Sequence, residues 1–135
     1  MAYDEKLLIF IVDDNTVFSK TFAKSISTKF RSAIEVKLFR SGEACLKALD
    51  LNPSLIFLDY YLDNGKGKKL NGYEVLGKIR SDKPYLPVIM VSVESKFGFA
   101  SEAIEKGAMN YIVKDGDAFR KAGKMITDLI RASSN

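Results

Sequence analysis

The sequence contains no histidine and only one cysteine among its 135 residues. The absence of histidine excludes imidazole-dependent zinc sites, serine-type catalytic triads and histidine phosphorylation on this chain. One cysteine excludes an intrachain disulfide, and Cys45 is expected to be a small buried side chain on a helix without a chemical role.

Long apolar runs are also missing. The sequence has no stretch of about 18 consecutive apolar residues, the length that a membrane-spanning helix would need. The first residues, MAYDEK, lack the basic and apolar parts of a secretory signal. We therefore expect a cytoplasmic protein that does not bind membranes. The length and the hydrophobic content of 47% fit one domain, residues 1–135, with no output domain.

The excess of positive charge is small, with a net charge of +4. Three lysines, Lys66, Lys68 and Lys69, form a tight basic cluster in a glycine-containing loop without the interleaved aromatic residues typical of nucleic-acid stacking platforms. A solvated loop is favoured over a binding patch, and no direct contact with nucleic acid is expected.

Four short apolar runs end abruptly at a polar residue. LLIFIV ends at Asp13 and Asp14, LIFL at Asp59, VIMV at Ser92 and YIV at Lys114. Continuous apolar runs of this length are typical of strands buried on both faces of a parallel sheet. Because ligands bind beyond the carboxyl ends of such strands, we expect these five residues to meet in one crevice.

Segments with helical spacing lie between the apolar runs. A stripe at intervals of four residues predicts a helix beginning near Asn15, and Ser41 is a candidate N-cap for a short helix through Leu49. Another helix is predicted from about Tyr73 to Arg80, and Gly107 is a candidate end of the next one. Five strands strictly alternate with five helices in this interpretation. The predicted fold is α/β, a doubly wound five-stranded parallel sheet flanked by five helices in a three-layer, flavodoxin-like sandwich.

The predicted crevice has the residues for phosphoryl transfer. Three carboxylates placed together repel one another unless a cation lies among them, and oxygen ligands without histidine or cysteine suit Mg²⁺. Lys114 adds a positive charge and Ser92 a hydrogen-bond donor beside a group whose charge is spread over several oxygens. Asp59, alone at its strand end, is the candidate nucleophile that would form an aspartyl phosphate.

The order of these residues resembles the receiver domain of bacterial two-component response regulators. That pattern has an acid pair, an aspartate ending the third strand, a hydroxyl residue ending the fourth, and an aromatic residue, here Tyr111, three residues before the lysine that ends the fifth. The resemblance extends from Leu7 to about Ile130. Each motif alone is weak, but their order and spacing together are specific.

The resemblance implies a role for each acid. Asp14 would bind Mg²⁺ directly and Asp13 largely through water. Asp59 would bind the ion and accept the phosphoryl group from the phosphohistidine of a histidine kinase or histidine phosphotransfer protein. The backbone carbonyl of Tyr61 would complete the protein ligands. Such a domain promotes only its own phosphorylation and slow dephosphorylation, so we do not expect an enzyme.

The resemblance also implies a switch. Ser92 would move toward the phosphoryl oxygens, Lys114 would pair with them, and Tyr111 would turn inward into the space that Ser92 leaves. The surface of the fourth helix, fifth strand and fifth helix would change for a downstream protein partner. A homodimer that forms on phosphorylation is left open.

The sequence departs from the family pattern in two places. Asp115 follows Lys114 where the family usually has a proline after a cis bond, and a cis bond before a non-proline residue costs about 2.5 to 4 kcal/mol. We expect either a trans bond with a reshaped loop or a strained cis bond. Asp63 replaces another usual proline, and residues 64–70 look partly like an insertion.

Two other functions are weighed against the phosphoacceptor switch. A pseudo-receiver would keep the fold as a phosphorylation-independent interaction module, and Asp115 leaves this alternative open. A metal-dependent phosphohydrolase of the haloacid dehalogenase type would carry a general acid two residues after the nucleophile, where this chain has Tyr61. The intact set of acids with Ser92 and Lys114 favours the switch.

Overall fold

The computed structural model describes residues 6–62 and 70–133, which form one parallel sheet with helices on both faces. The strands lie in the order β2-β1-β3-β4-β5. Their bounds are β1 (Leu7–Val12), β2 (Ile34–Phe39), β3 (Leu55–Leu58), β4 (Val88–Ser92) and β5 (Asn110–Val113). The helices are α1 (Thr16–Phe30), α2 (Gly42–Lys47), α3 (Gly72–Asp82), α4 (Phe97–Glu105) and α5 (Ala118–Ser133). The predicted doubly wound sheet is confirmed.

Alternate residues of the strands supply two separate cores. Phe10 and Val12 of β1 pack on one face of the sheet with buried residues of α2, α3 and α4. Ile9 and Ile11 of the same strand pack on the other face with α1 and α5. Successive strand side chains point to opposite faces, so runs with no polar residue are what a sheet covered on both sides requires.

Short polar side chains begin the helices that border the carboxyl edge of the sheet. The Asn15 side chain accepts a hydrogen bond from the Phe18 N–H at 3.0 Å, and the Ser41 hydroxyl accepts one from the Ala44 N–H at 3.1 Å. The helix predicted through Leu49 ends sooner, at Lys47, and continues as a 3₁₀ turn. Boundaries of this kind depend on the last hydrogen bonds of a helix, which residue spacing does not define.

The structure also bears on the cysteine and on membrane-spanning helices. Cys45 is buried, and burial raises the pKa of its thiol to about 12, which agrees with a packing role. Across the described ranges, the helices are too short or too polar to cross a bilayer.

Candidate functional site

Backbone hydrogen bonds between neighbouring strands bring the predicted site residues to one edge of the sheet. The Asp59 N–H donates to the Val12 carbonyl at 2.9 Å, so β1 and β3 reach the edge together. The Lys114 N–H donates to the Ser92 carbonyl at 2.8 Å, which aligns the ends of β4 and β5. The crevice at the carboxyl ends of the strands is therefore present as predicted.

Three carboxylates meet in this crevice. Asp13, Asp14 and Asp59 each offer an oxygen, and these oxygens lie within 4.8 Å of one another. Asp13 and Asp59 are almost completely buried, whereas Asp14 is half-buried. The Asn15 N–H donates to Asp13 Oδ1 at 2.8 Å, so the first residues of the turn into α1 fix one of the acids.

Lys114 is the cation that the structure places among the acids. Its Nζ lies 2.8 Å from Asp13 Oδ2 and 3.4 Å from Asp59 Oδ2, and its side chain is only 10% exposed. The ammonium also lies 4.4 Å from the centroid of the Phe18 ring. Buried carboxylates require such a counter-charge, because removing charges from water is costly unless they are paired.

Asp59 remains poorly stabilised as an anion despite this lysine. Burial and the negative charge of Asp13 raise its pKa to about 7, and the opposing effects of Lys114 and of the Tyr61 backbone N–H are smaller. Among the described residues, no donor makes a hydrogen bond to the buried Oδ1 of Asp59. A buried oxygen without a partner is unusual and marks a position where a ligand would be favourable.

The crevice fits a hard divalent cation. Its donors are all oxygens, and the ligands of one Mg²⁺ at about 2.1 Å lie about 3 to 4 Å apart, close to the spread observed here. The unpartnered Oδ1 of Asp59 would gain a partner from such an ion. The arrangement can therefore hold a metal and present a buried carboxylate oxygen beside it.

Ser92 and Tyr111 are neighbours at the ends of β4 and β5. Ser92 is fully buried, and its hydroxyl accepts a hydrogen bond from the Glu94 N–H at 3.3 Å. The half-buried Tyr111 donates its hydroxyl proton to the Glu94 carbonyl at 2.7 Å. Burial raises the pKa of Tyr111, and Ser92 opposes that shift. Both side chains thus contact the loop that leads from β4 to α4.

Tyr61 lies at the mouth of the crevice, two residues after Asp59. Its ring is 44% exposed and packs against Tyr60 with an edge-to-face geometry at 4.7 Å between centroids. Partial burial and the neighbouring Glu94 raise the pKa of the Tyr61 hydroxyl. Tyr61 and Glu94 are therefore neighbours, and both Glu94 and Asp59 lie close enough for their charges to interact with the Tyr61 hydroxyl.

The bond between Lys114 and Asp115 is trans, as are all peptide bonds of the described residues. Of the two conformations that the sequence left open, the structure has the trans bond with a locally bonded loop. The Asp115 N–H donates to the Val113 carbonyl and the Asp117 N–H to the Asp115 carboxylate, each at 2.8 Å. The second departure, Asp63 and the lysine-rich segment 64–69, lies outside the described residues.

The structure brings together every side chain that the sequence predicted for the site, although their chemical roles stay predictions. Phe18 was not among them, because its spacing with Phe22 and Ile26 assigns it to the apolar stripe of α1. The available signal is its position four residues after Asp14, one helical turn from the acid pair. Its contact with Lys114 depends on how α1 packs beside α5.

The sequence of the chain is similar to those of known proteins. Residues 9–122 match the family described as response regulator receiver domain. The chain is 31% identical over 114 residues to the chemotaxis protein CheY of Listeria monocytogenes, a match covering 84% of this chain and 91% of that protein. It is 34% identical over 121 residues to the nitrogen assimilation regulatory protein NtrX of Azorhizobium caulinodans. That second match covers 89% of this chain and only 24% of NtrX.

Two solved structures with the same fold are similar in length to this chain. The receiver domain of NtrX from Brucella abortus has 28% sequence identity and a TM-score of 0.77, covering 91% of this chain and 98% of that one. A CheY-like response regulator receiver domain protein from Methanospirillum hungatei has a TM-score of 0.77 over 96% of this chain and 98% of its own. Its identity of 21% supports a likeness of fold alone.

Proposed function

Because the chain belongs to the response regulator receiver domain family, we propose that it is a phosphoacceptor switch in which Asp59 receives the phosphoryl group. Two-component signalling is the function of the family, and its phosphoryl donors are histidine kinases or histidine phosphotransfer proteins. The observation that carries the assignment of Asp59 is its buried Oδ1, which has no hydrogen-bond donor within the described part of the chain.

Asp59 has the position and the environment of a nucleophile. It directly follows β3, between the acid pair that follows β1 and Ser92, which ends β4. With one oxygen free of hydrogen bonds and the other 3.4 Å from Lys114, this carboxylate can bind an ion through one oxygen and attack phosphorus with the other. Asp13, by comparison, already accepts bonds from the Asn15 N–H and from Lys114, so both of its oxygens have partners.

The reaction forms one bond and breaks one. A carboxylate oxygen of Asp59 attacks the phosphorus of the donor phosphohistidine, a phosphorus–oxygen bond forms, and the phosphorus–nitrogen bond breaks. The donor imidazole keeps the bonding electron pair and takes up a proton. Lys114, already within 3.4 Å of Asp59, would pair with a phosphoryl oxygen, and the Ser92 hydroxyl would donate to another.

Asp13, Asp14 and Asp59 would hold Mg²⁺, with the backbone carbonyl of Tyr61 as a further ligand. When bound, the ion would neutralise charge on the acids and on the transferring phosphoryl group. The present partner of Asp13 is the Lys114 ammonium at 2.8 Å. Lys114 would therefore exchange a carboxylate partner for a phosphoryl oxygen when the site is fully occupied.

The signal would leave the site through the loop between β4 and α4. Ser92 and Tyr111 both contact this loop at Glu94, so a movement of Ser92 toward a phosphoryl group changes the surroundings of Tyr111. On the adjoining surface of α4, β5 and α5, Phe97 is 85% exposed, and Ile104 and Met109 are about half exposed. Exposed apolar side chains of this kind are suited to a protein partner.

The test is intact mass after incubation with Mg²⁺ and acetyl phosphate. The wild-type protein and Asp82→Asn, which changes an exposed acid at the far end of α3, should each gain one phosphoryl group. Asp59→Asn should gain none, because it lacks the attacking carboxylate. Circular dichroism of the three proteins provides the control for folding.

Each outcome decides between functions. Labelling of the wild type but not of Asp59→Asn supports the phosphoacceptor switch. Stoichiometric labelling of folded Asp59→Asn would overturn the assignment of the nucleophile. If neither acetyl phosphate nor a phosphorylated histidine kinase labels the folded wild type in Mg²⁺, the switch is wrong and the pseudo-receiver takes its place.

A further inference from the structure

We propose that Phe18 is a positioning residue for Lys114, whose ammonium it holds in place to meet the phosphoryl group on Asp59. The inference rests on the proposed function, and it adds a residue of α1 to the site. The ammonium lies 4.4 Å from the ring centroid of Phe18. At this distance the negative face of an aromatic ring attracts a cation, and the attraction strengthens where water is excluded.

The backbone around Lys114 gives little guidance to its side chain. The following loop satisfies its own hydrogen bonds, from the Asp115 N–H to the Val113 carbonyl and from the Asp117 N–H to the Asp115 carboxylate. A Cβ added to Gly116 would meet nothing within 4 Å, so this part of the loop is not packed against the site. A lysine side chain has several rotatable bonds, and its direction must therefore be fixed near the ammonium.

Phe18 is well supported as a fixed surface. Its ring lies 5.8 Å from that of Phe22 and 5.6 Å from that of Phe119, and Phe22 and Phe119 stack at 5.1 Å. These three aromatic side chains join α1 to α5. A ring held by two others can restrict a lysine rotamer without changing position itself.

The ring differs from the other two partners of the ammonium in one respect. Asp13 and Asp59 are the groups whose charge and ligands would change when the site is phosphorylated. Phe18 carries no charge and binds no ligand, so its attraction for the ammonium would persist while Lys114 exchanges a carboxylate for a phosphoryl oxygen. Positioning by Phe18 should therefore affect phosphorylation more than metal binding.

The first measurement compares the rate of Asp59 labelling by acetyl phosphate at saturating Mg²⁺ with the Mg²⁺ affinity from calorimetry. Phe18→Leu should label about three- to thirtyfold more slowly than the wild type, with its Mg²⁺ affinity within about twofold. Phe18→Tyr, which keeps an aromatic face, should restore most of the rate. Phe30→Leu, which removes a half-buried ring from the other end of α1, should label at nearly the wild-type rate.

A double-mutant cycle with Lys114→Met identifies the partner of the ring. If Phe18 acts through the ammonium, Phe18→Leu should slow labelling no further in the Lys114→Met background. When the unfolding equilibrium constant is measured for the same cycle, the coupling between Phe18 and Lys114 should be about three- to thirtyfold. This second readout tests the contact even in a variant that labels too slowly to follow.

The possible failures are distinct. Absence of coupling in both readouts, or equal slowing by Phe18→Leu and Phe30→Leu, would make Phe18 a packing residue and overturn the inference alone. A wild-type protein that cannot be labelled would overturn the proposed function, and with it the positioning role. Parallel losses of labelling rate and Mg²⁺ affinity in Phe18→Leu would show that the ring supports the whole crevice rather than Lys114.

Discussion

Among single residues, Asp59 combines a functional position with an energetic cost. Its carboxyl group is buried beside Asp13, and its pKa rises from an ordinary 3.8 to about 7 because charge is poorly solvated there. Lys114 offsets part of this cost from 3.4 Å. The charged form of Asp59 destabilises the folded protein, although the residue directly follows a buried strand. Such a residue is expected at a site where ligand binding or chemistry offsets the free energy of burying its charge.

The raised pKa of Asp59 predicts how the stability of the protein depends on pH in a buffer without divalent cations. Between about pH 4 and pH 7 the folded protein keeps a proton on Asp59 that the unfolded chain releases, so stability falls as the pH rises through this window. Urea unfolding should show the wild type losing about 1 to 2 kcal/mol relative to Asp59→Asn between pH 5 and pH 8. The full shift of the Asp59 pKa corresponds to a change in stability of roughly 3 kcal/mol over this interval, and relaxation of the protein around the charged carboxylate reduces it.

Asp82→Asn, at an exposed acid, provides the comparison for this pH profile. It should follow the wild type throughout, whereas Asp59→Asn should become the more stable protein at pH 8. Parallel profiles for the wild type and Asp59→Asn would mean that Asp59 is not perturbed by burial.

The start of α3 packs against Asp59 and Tyr60, the residues that directly follow β3. The Gly72 N–H donates to the Tyr60 carbonyl at 2.7 Å, and Asn71 and Glu74 form a reciprocal capping box at the same end of the helix. A Cβ on Gly72 would lie 2.4 Å from the Asp59 carbonyl oxygen and 2.6 Å from Tyr60 Cα. Glycine is therefore required here by close approach of two backbones.

A pair of glycines on α3 tests this packing. Gly72→Ala should destabilise the protein by about 2 kcal/mol or more, because the added methyl meets backbone rather than a movable side chain. Gly77→Ala, on the same helix with nothing within 4 Å, should stabilise it by about 0.5 to 1 kcal/mol. Urea denaturation measures both. A Gly72→Ala protein as stable as the wild type would contradict the close approach.

The helices show which features of an element a sequence can predict. Side-chain spacing predicted α3 from about Tyr73 to Arg80, and the structure extends it to Gly72–Asp82. The cap at Ser41 and a helix start near Asn15 could be predicted, because the interactions at the start of a helix are local. The close contact of Gly72 with β3 could not, because it depends on how α3 packs against a distant part of the chain.

For the whole molecule, the order of the strands assembles the site. Placing β1 and β3 side by side, with β4 and β5 beyond, brings distant acids, Ser92 and Lys114 to one edge. The sequence predicted this meeting because each apolar run ends at a polar residue. It did not predict that Lys114 would pair with Asp13 or contact Phe18, because long side chains choose their partners only after the helices are packed.

Binding of Mg²⁺ should stabilise the entire fold. A ligand that binds only the folded protein adds about 2.7 kcal/mol at a hundred times its dissociation constant. The melting temperature of the wild type should therefore rise with Mg²⁺ and return on chelation, and labelling by acetyl phosphate should stop at the same point. Asp14→Asn should lose most of the rise, because it removes one of three clustered carboxylates.

Two comparisons separate metal binding from a general effect of salt. NaCl at the same ionic strength should not reproduce the rise, and Asp50→Asn, at an exposed acid of the 3₁₀ turn Leu49–Leu51, should retain it. An equal rise in Asp14→Asn and the wild type would remove the acid pair from the binding site.

The two separate cores have a consequence for how this sequence can change. Side chains on one face of the sheet, such as Ile79, do not share neighbours with those on the other, such as Ile26. Substitutions in different cores should therefore have additive effects, and each face can diverge with little regard for the other. Residues from both layers meet around Asp59 at the strand ends. Substitutions made on the two faces must therefore be compatible with one another there.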